Sequence, residues 1–280
     1  MTLAYELVDV FTDQPFAGNP LAVVLDADDL STEQMQTLAR EFNLSETAFP
    51  LAAPDGATYG LRIFTPVSEL PFAGHPSVGA AWVLRRLGRI DDGANVQACG
   101  AGLLPVHVTP EAVTLTGGTP VAGAPMDPEP FLAAVGLKAD DLVGPPVRFC
   151  GTGIEFAYLL VEPSAVARAE PSLSAVAALG GTGTAVLSWD GACASSRVFA
   201  CGVGILEDPA TGSAALGLGV MLAASGLLAD GTHAYVVEQG VQMGRPSTLA
   251  CEVDVSGGVV VRTQVSGTVV PIARGEIRVP

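Results

Sequence analysis

The 280 residues carry a formal charge of −16 and a pI near 4.3, a balance that repels phosphate backbones and anionic membrane surfaces and argues against nucleic-acid or membrane partners. Apolar residues make up 49% and charged residues 15%, which is enough for sizeable cores and excludes a disordered chain. The length fits one large domain or two of about 140 residues.

Strands and helices alternate along the chain. The first fifteen residues hold Glu6, Asp9 and Asp13 and lack a basic start followed by an apolar run, so no secretory signal is expected. Tyr5–Phe11 and Leu21–Leu25 read as strands around the turn Ala17-Gly18-Asn19-Pro20. Ser31-Thr32-Glu33-Gln34 fits a capping box, and Met35, Leu38, Ala39 and Phe42 follow at helical spacing, so a helix should run on to Asn43. Thr47–Leu51 and Tyr59–Phe64 read as strands, Val78–Leu87 as a helix closed by Gly88, and Val106–Val108 with Val113–Thr116 as a hairpin. Gly117–Asp127, rich in Gly and Pro, is the expected linker. It separates an N-terminal domain over residues 1–121 from a C-terminal domain over 122–280, whose last strand is free to pair with the first domain. In the second half, Phe156–Val161, Ala185–Ser188 and Arg197–Ala200 read as strands. Ala214–Ala224, the longest apolar run at 11 residues, is too short to span a bilayer and reads as a buried helix. Val236–Val237, Thr248–Val255 and Val259–Val265 are further strands, with Gly257-Gly258 as a hairpin turn. The five cysteines (Cys99, Cys150, Cys193, Cys201, Cys251) are scattered and form no CxxC pair, which fits reduced thiols in a cytoplasmic protein.

Glu69-Leu70-Pro71-Phe72-Ala73-Gly74-His75-Pro76-Ser77-Val78-Gly79 aligns without a gap on Glu207-Asp208-Pro209-Ala210-Thr211-Gly212-Ser213-Ala214-Ala215-Leu216-Gly217, 138 residues on. Upstream, Arg62-Ile63-Phe64 is echoed by Arg197-Val198-Phe199. Each copy reads as strand, glycine turn and apolar helix, so a two-fold internal repeat is the economical explanation. Such helix starts offer backbone N–H groups and a positive dipole end to an anion, and halves that face each other would bring two of them to one cleft.

Pro76 suits a first helical position, which makes His75 the N-cap or its neighbour, and Ser213 holds the matching place. Capping alone is reason enough for Ser213. Histidine is an uncommon cap and is better explained as a ligand contact or proton carrier. Two helix ends at about 0.3–2 kcal/mol each and one hydroxyl at about 1.5–3 reach the ~4 kcal/mol of millimolar binding, enough for a small carboxylate. Only Arg62 and Arg197, on the preceding strands, are basic nearby, which disfavours phosphate. Asp208 has the apolar Leu70 as its counterpart, an asymmetry that points to a specialised role. Position alone makes Glu46 a solvated strand-end carboxylate; turned inward, it would suit general acid–base work.

Other chemistries lack their motifs. His75, His107 and His233 show no i,i+4 spacing, so no metal site is expected. Gly100-Ala101-Gly102, Gly151-Thr152-Gly153 and Gly181-Thr182-Gly183 lack the rest of a dinucleotide fingerprint, and neither GxxxxGK nor a Gly-x-Ser-x-Gly elbow occurs.

Five blocks carry a family resemblance: Phe16–Val24, Asn43-Leu44-Ser45-Glu46-Thr47, Arg62–Gly79, Glu207–Ala215 and Gln239–Ser247. In combination and in order the chain resembles the PhzF family of phenazine-biosynthesis isomerases. The resemblance implies a diaminopimelate-epimerase-like α+β fold: two pseudo-symmetric domains, each a mostly antiparallel sheet wrapped around a central helix. It also implies a homodimer, no cofactor and an active site between the domains. By the same resemblance Glu46 shuttles a proton, and His75, Asp208 and Ser213 bind and orient the substrate; from the two helix starts, its carboxylate is expected at Ser213 and the amides near Gly74 and Gly212. The family's best-known reaction converts trans-2,3-dihydro-3-hydroxyanthranilate to a ketone tautomer by moving a hydrogen from C3 to C1. Epimerases of this fold place a cysteine at each helix start; here Ala73 and Thr211 hold those places, which disfavours two-thiol racemisation. The expectation is therefore a cofactor-free isomerase acting on a small, carboxylate-bearing cyclic substrate. An epimerase of unassigned substrate and a non-catalytic small-acid-binding protein are the competing readings.

Overall fold

The computed structural model describes residues 1–280, whose contacts divide the chain into two units: Met1–Thr116 with Ser266–Pro280, and Gly117–Val265. Unit 1 opens with β1 (Thr2–Val10) and β2 (Asn19–Val24). Between them Gly18 has φ 67°, and a Cβ there would lie 2.4 Å from the Val10 carbonyl oxygen, so only glycine fits. Helix α1 (Thr32–Phe42) starts at the Ser31/Gln34 capping box and ends at Asn43, whose φ of 51° closes it in the left-handed conformation. The unit continues through β3 (Glu46–Leu51), β4 (Tyr59–Phe64), β5 (Glu69–Leu70), α2 (Gly74–Arg86), β6 (Gly93–Cys99), β7 (Gly102–Val108) and β8 (Val113–Thr116).

Unit 2 comprises β9 (Val121–Ala122), α3 (Glu129–Ala134), β10 (Phe149–Gly151), β11 (Glu155–Leu160), α4 (Pro163–Arg168), α5 (Leu173–Ala178), β12 (Gly183–Trp189), β13 (Cys193–Phe199), α6 (Gly212–Ala224), β14 (Gly231–Gln239), β15 (Ser247–Ser256) and β16 (Val259–Gly267) up to Val265, its last two residues falling in unit 1. The final strand, β17 (Val269–Arg278), pairs antiparallel with β1 from Thr2↔Arg278 to Val10↔Val269 and so belongs to unit 1.

One succession of pairings runs through both units. In unit 1, β1/β2 is antiparallel, β2/β3 parallel, β3/β4 antiparallel, β4/β6 parallel and β6/β7 antiparallel. In unit 2 the same order holds for β10/β11, β11/β12, β12/β13, β13/β14 and β14/β15. The second parallel pair of each series is bridged by the long apolar helix, α2 or α6, because parallel strands need a crossover. Helix α6 is buried from Gly212 to Ala223, and α2 from Gly74 to Ala81. Glycines let these helices approach the strands: a Cβ on Gly79 would meet Leu21 at 2.5 Å, and one on Gly217 the Tyr158 hydroxyl at 2.3 Å. A separate apolar cluster links α1 with Val24, Phe49 and Phe64, and another gathers Phe131, Val135, Leu159, Val166 and Val186 in unit 2. The fold is α+β, each unit a mostly antiparallel sheet around one central helix.

Some local expectations are corrected. Helix α2 starts at Gly74 and α6 at Gly212, ahead of Val78 and Ala214, since the glycine-led first turns are already helical. The Gly117–Asp127 stretch is not a bare linker: β9 pairs with β10, and Met126 bridges Val147. Strands β6, β9, β10 and β17 and helices α3 to α5 carry weak local patterns and emerge only from pairing and packing. No helix is long and apolar enough to cross a membrane.

Candidate active site

The start of α2 is built by side chains from four strands. Ala73, not His75, is the N-cap, and Gly74, His75 and Pro76 form the first turn. Pro76 is tolerated at the third position because N–H groups there have no intrahelical acceptor. The Ser77 hydroxyl donates to the Ala73 carbonyl at 2.9 Å, Gln97 Nε2 donates to Ser77 Oγ at 3.0 Å, and the Tyr59 hydroxyl donates to Gln97 Oε1 at 3.1 Å. This chain anchors the turn to β4 and β6.

His75 is 3% exposed, and burial pulls its pKa down to about 3, so the ring is neutral near pH 7. Asn19 Nδ2, at the start of β2, lies 3.2 Å from His75 Nδ1. A neutral imidazole carries one proton, and Nδ1 is the ring nitrogen that meets both Asn19 and Glu46. Nε2 is buried and makes no hydrogen bond within the protein. Glu46 Oε2 lies 3.5 Å from Nδ1, and Glu46 is itself 7% exposed. The solvated position expected from sequence context alone is therefore overturned. β3 is an interior strand, paired with β2 through Leu21↔Glu46 on one side and with β4 on the other, and its first five residues are all buried. With a neutral ring the contact is not an ion pair. Within unit 1 the structure thus brings Glu46, Gly74 and His75 together.

In unit 2 Asp208, Gly212 and Ser213 gather at the start of α6. Asp208 is 4% exposed and its amide donates to the Val198 carbonyl at 2.9 Å. The N-cap is Thr211, with Gly212 and Ser213 opening the helix, so Ser213 lies inside the first turn and is not the cap. The Thr211 hydroxyl caps nothing; it donates to Asp208 Oδ2 at 2.6 Å. Gln239, the last residue of β14, bonds both the Thr211 hydroxyl and the Asp208 carbonyl. Ser247 Oγ donates to the Pro209 carbonyl at 2.8 Å. Gly240, with φ 76°, lets the Gln239–Ser247 segment close over the Asp208–Pro209 turn, where a Cβ would lie 2.6 Å from the Pro209 oxygen. Sequence reasoning assigned no role to Asn19, Thr211 and Gln239. The available signal was their place inside the family-like blocks.

Both nearby arginines are already engaged. Arg62 makes a two-pronged bond to Glu69 at 2.7 Å and Arg197 one to Glu207 at 2.8 Å, and each guanidinium lies 5.1 Å from a ring two residues on, Phe64 or Phe199. The Glu that opens each repeat motif is thus the partner of the Arg that precedes it. Burial pushes the Cys150 thiol up to about 11 and Cys251 to about 12, which leaves neither as a thiolate near pH 7. No three His, Cys, Asp or Glu side chains lie together as a metal-holding group.

Comparison with known proteins gives a consistent match. A model of the family described as Phenazine biosynthesis-like protein (PhzC-PhzF) matches residues 8–275. A trans-2,3-dihydro-3-hydroxyanthranilate isomerase from Pseudomonas chlororaphis is 34% identical over 283 residues, covering 98% of each chain. The crystal structure of a PhzF-family phenazine biosynthesis protein from Bacillus anthracis superimposes with a TM-score of 0.88 at 25% identity, covering 99% of each chain. A hydroxyproline epimerase from Agrobacterium vitis, 13% identical, shares the fold with a TM-score of 0.69, covering 99% of this chain and 92% of its own. Matched by the family model along nearly all of its length, and by curated isomerases end to end, the chain is an isomerase and belongs to the PhzC-PhzF family of phenazine biosynthesis-like proteins.

Proposed function

We propose that the chain is a cofactor-independent isomerase that moves a proton between two carbons of a small, carboxylate-bearing cyclic substrate, most like trans-2,3-dihydro-3-hydroxyanthranilate. Glu46 acts first as base, taking the proton from C3 while the double bonds shift, and then as acid, returning it at C1, so atoms and charge balance without a co-reactant. His75, neutral and with Nε2 making no hydrogen bond within the protein, hydrogen-bonds a polar group of the substrate. Asp208 holds a further polar group, and Ser213 with the amides near Gly74 and Gly212 holds its carboxylate, since helix starts favour anions. The carrying observation is the buried Glu46 carboxyl group 3.5 Å from a neutral imidazole at the start of α2. A homodimer and a cytoplasmic location belong to the same reading, the latter supported by five cysteines without a disulfide.

Glu46→Gln keeps the side chain's size and one acceptor but cannot shuttle a proton. Turnover of trans-2,3-dihydro-3-hydroxyanthranilate should fall by roughly 10²–10⁴-fold. The urea unfolding midpoint and the affinity for the aromatic analogue 3-hydroxyanthranilate should barely change. Turnover retained in this variant would exclude Glu46 as the proton carrier, and binding without turnover by the unmodified protein would favour a non-catalytic acid-binding role.

A further inference from the structure

Asp208 ends a hydrogen-bond chain whose direction is set at the other end. The Gln239 side-chain oxygen accepts from the Thr211 amide at 3.3 Å, and its nitrogen donates to the Asp208 carbonyl at 2.7 Å. A backbone N–H only donates and a carbonyl only accepts, so the Gln239 amide has one admissible orientation. The same nitrogen then donates its second hydrogen to Thr211 Oγ1, 2.9 Å away. That hydroxyl has a single proton, which therefore goes to Asp208 Oδ2 at 2.6 Å, a length typical of a bond to an ionised carboxylate. Asp208, Thr211 and Gln239 are all buried, so water does not compete for these positions. The charged neighbours on the same segment and on β13, Glu207 and Arg197, pair with each other.

We propose that Gln239 and Thr211 are positioning residues that orient Asp208 and commit its carboxylate to accepting, so that the substrate group it meets is a hydrogen-bond donor. The inference rests on the reading of Asp208 as a substrate-binding group, and it narrows the substrate class. An acid bearing an amino or hydroxyl substituent fits, whereas a second carboxylate facing Asp208 does not.

Two measurements on the full chain separate this inference from the functional reading. The first needs no substrate: the ¹³Cγ resonance of Asp208, identified by its loss in Asp208→Asn, should move in Thr211→Val and Gln239→Leu and keep its place in Thr211→Ser. The second is turnover of trans-2,3-dihydro-3-hydroxyanthranilate, for which kcat/KM should fall roughly tenfold or more in Thr211→Val and Gln239→Leu and be rescued to within about twofold by Thr211→Ser. In an Asp208→Asn background neither substitution should lower kcat/KM further. A resonance unmoved by Thr211→Val, or an undiminished loss of kcat/KM in the Asp208→Asn background, overturns the inference. If the unmodified protein leaves the compound untouched, the functional reading fails, and the resonance alone still decides the positioning role. Should Thr211→Val not fold, Gln239→Leu against Thr211→Ser makes the same comparison.

Discussion

His75 illustrates how one buried side chain couples protonation to folding. Its folded pKa is about 3, against about 6.5 in an unfolded chain, because burial disfavours the charged ring. Between those values the unfolded chain takes up a proton that folded His75 refuses. The contribution is therefore whole above about pH 6.5 and is lost as pH falls towards 3. The loss is at most on the order of 5 kcal/mol across the window. Urea unfolding at a series of pH values should show a steeper acid-side decline for the native protein than for His75→Gln; parallel declines would contradict a neutral, buried His75. The same residue shows what local sequence hides: Asn19, a turn residue by sequence, brings its amide to 3.2 Å from His75 Nδ1.

Each helix start is held by an amide on the strand that follows the helix. Gln97 lies on β6 opposite Tyr59 of β4, and Gln239 on β14 opposite Ser196 of β13; the strands, β6 and β14, hold equivalent places in the shared series of pairings. Gln97 reaches the Ala73 carbonyl through Ser77, whereas Gln239 reaches Asp208 directly and through Thr211. The device is common to both units, and the chemistry attached to it differs. The arginine forks tie each strand to its motif in the same way, but at different depths. Arg197 and Glu207 are about nine-tenths buried, and Arg197 Nη1 also donates to the Ala169 carbonyl at 2.7 Å; Arg62 and Glu69 stand at the surface. Arg197→Met should destabilise by roughly 3–5 kcal/mol, since it strands a buried carboxylate, and Arg62→Met by about 1 kcal/mol or less. Equal losses in chemical unfolding would show that depth does not govern these pairs.

At the scale of the whole molecule, unit 1 is discontinuous in sequence. β17 lies alongside the length of β1, the Gln34 side chain donates to the Pro280 carbonyl, and the Val279 amide donates to the Met1 carbonyl. The first unit therefore cannot complete its sheet until residues 266–280 are made, and these closing contacts span a long stretch of sequence. A chain ending at Val265 leaves β1 without this partner. Limited proteolysis of such a chain should cut residues 1–116 while sparing 117–265, and a synthetic peptide of residues 266–280 should restore protection. Protection of residues 1–116 without the peptide would show that β17 is dispensable.

Local and self-similar features were legible in the residues themselves. The capping box at Ser31 and the left-handed Asn43 bound α1 because both act within one turn of backbone. The Glu–Pro–Gly repeat foretold one architecture used twice, because a duplicated pattern folds by the same pairings. It also pointed to Gly74, His75, Asp208, Gly212 and Ser213. Whether Glu46 meets water or protein was decided only by β2 and β4 closing on either side of it, as was the direction of the Gln239–Thr211–Asp208 chain by partners 28 and 31 residues apart. The paired Gly117–Asp127 segment and the return of β17 to β1 likewise depend on strands far along the chain. A residue's own neighbours set its backbone preference, but burial and hydrogen-bond direction belong to whichever segments the fold brings against it, and those are absent from local sequence.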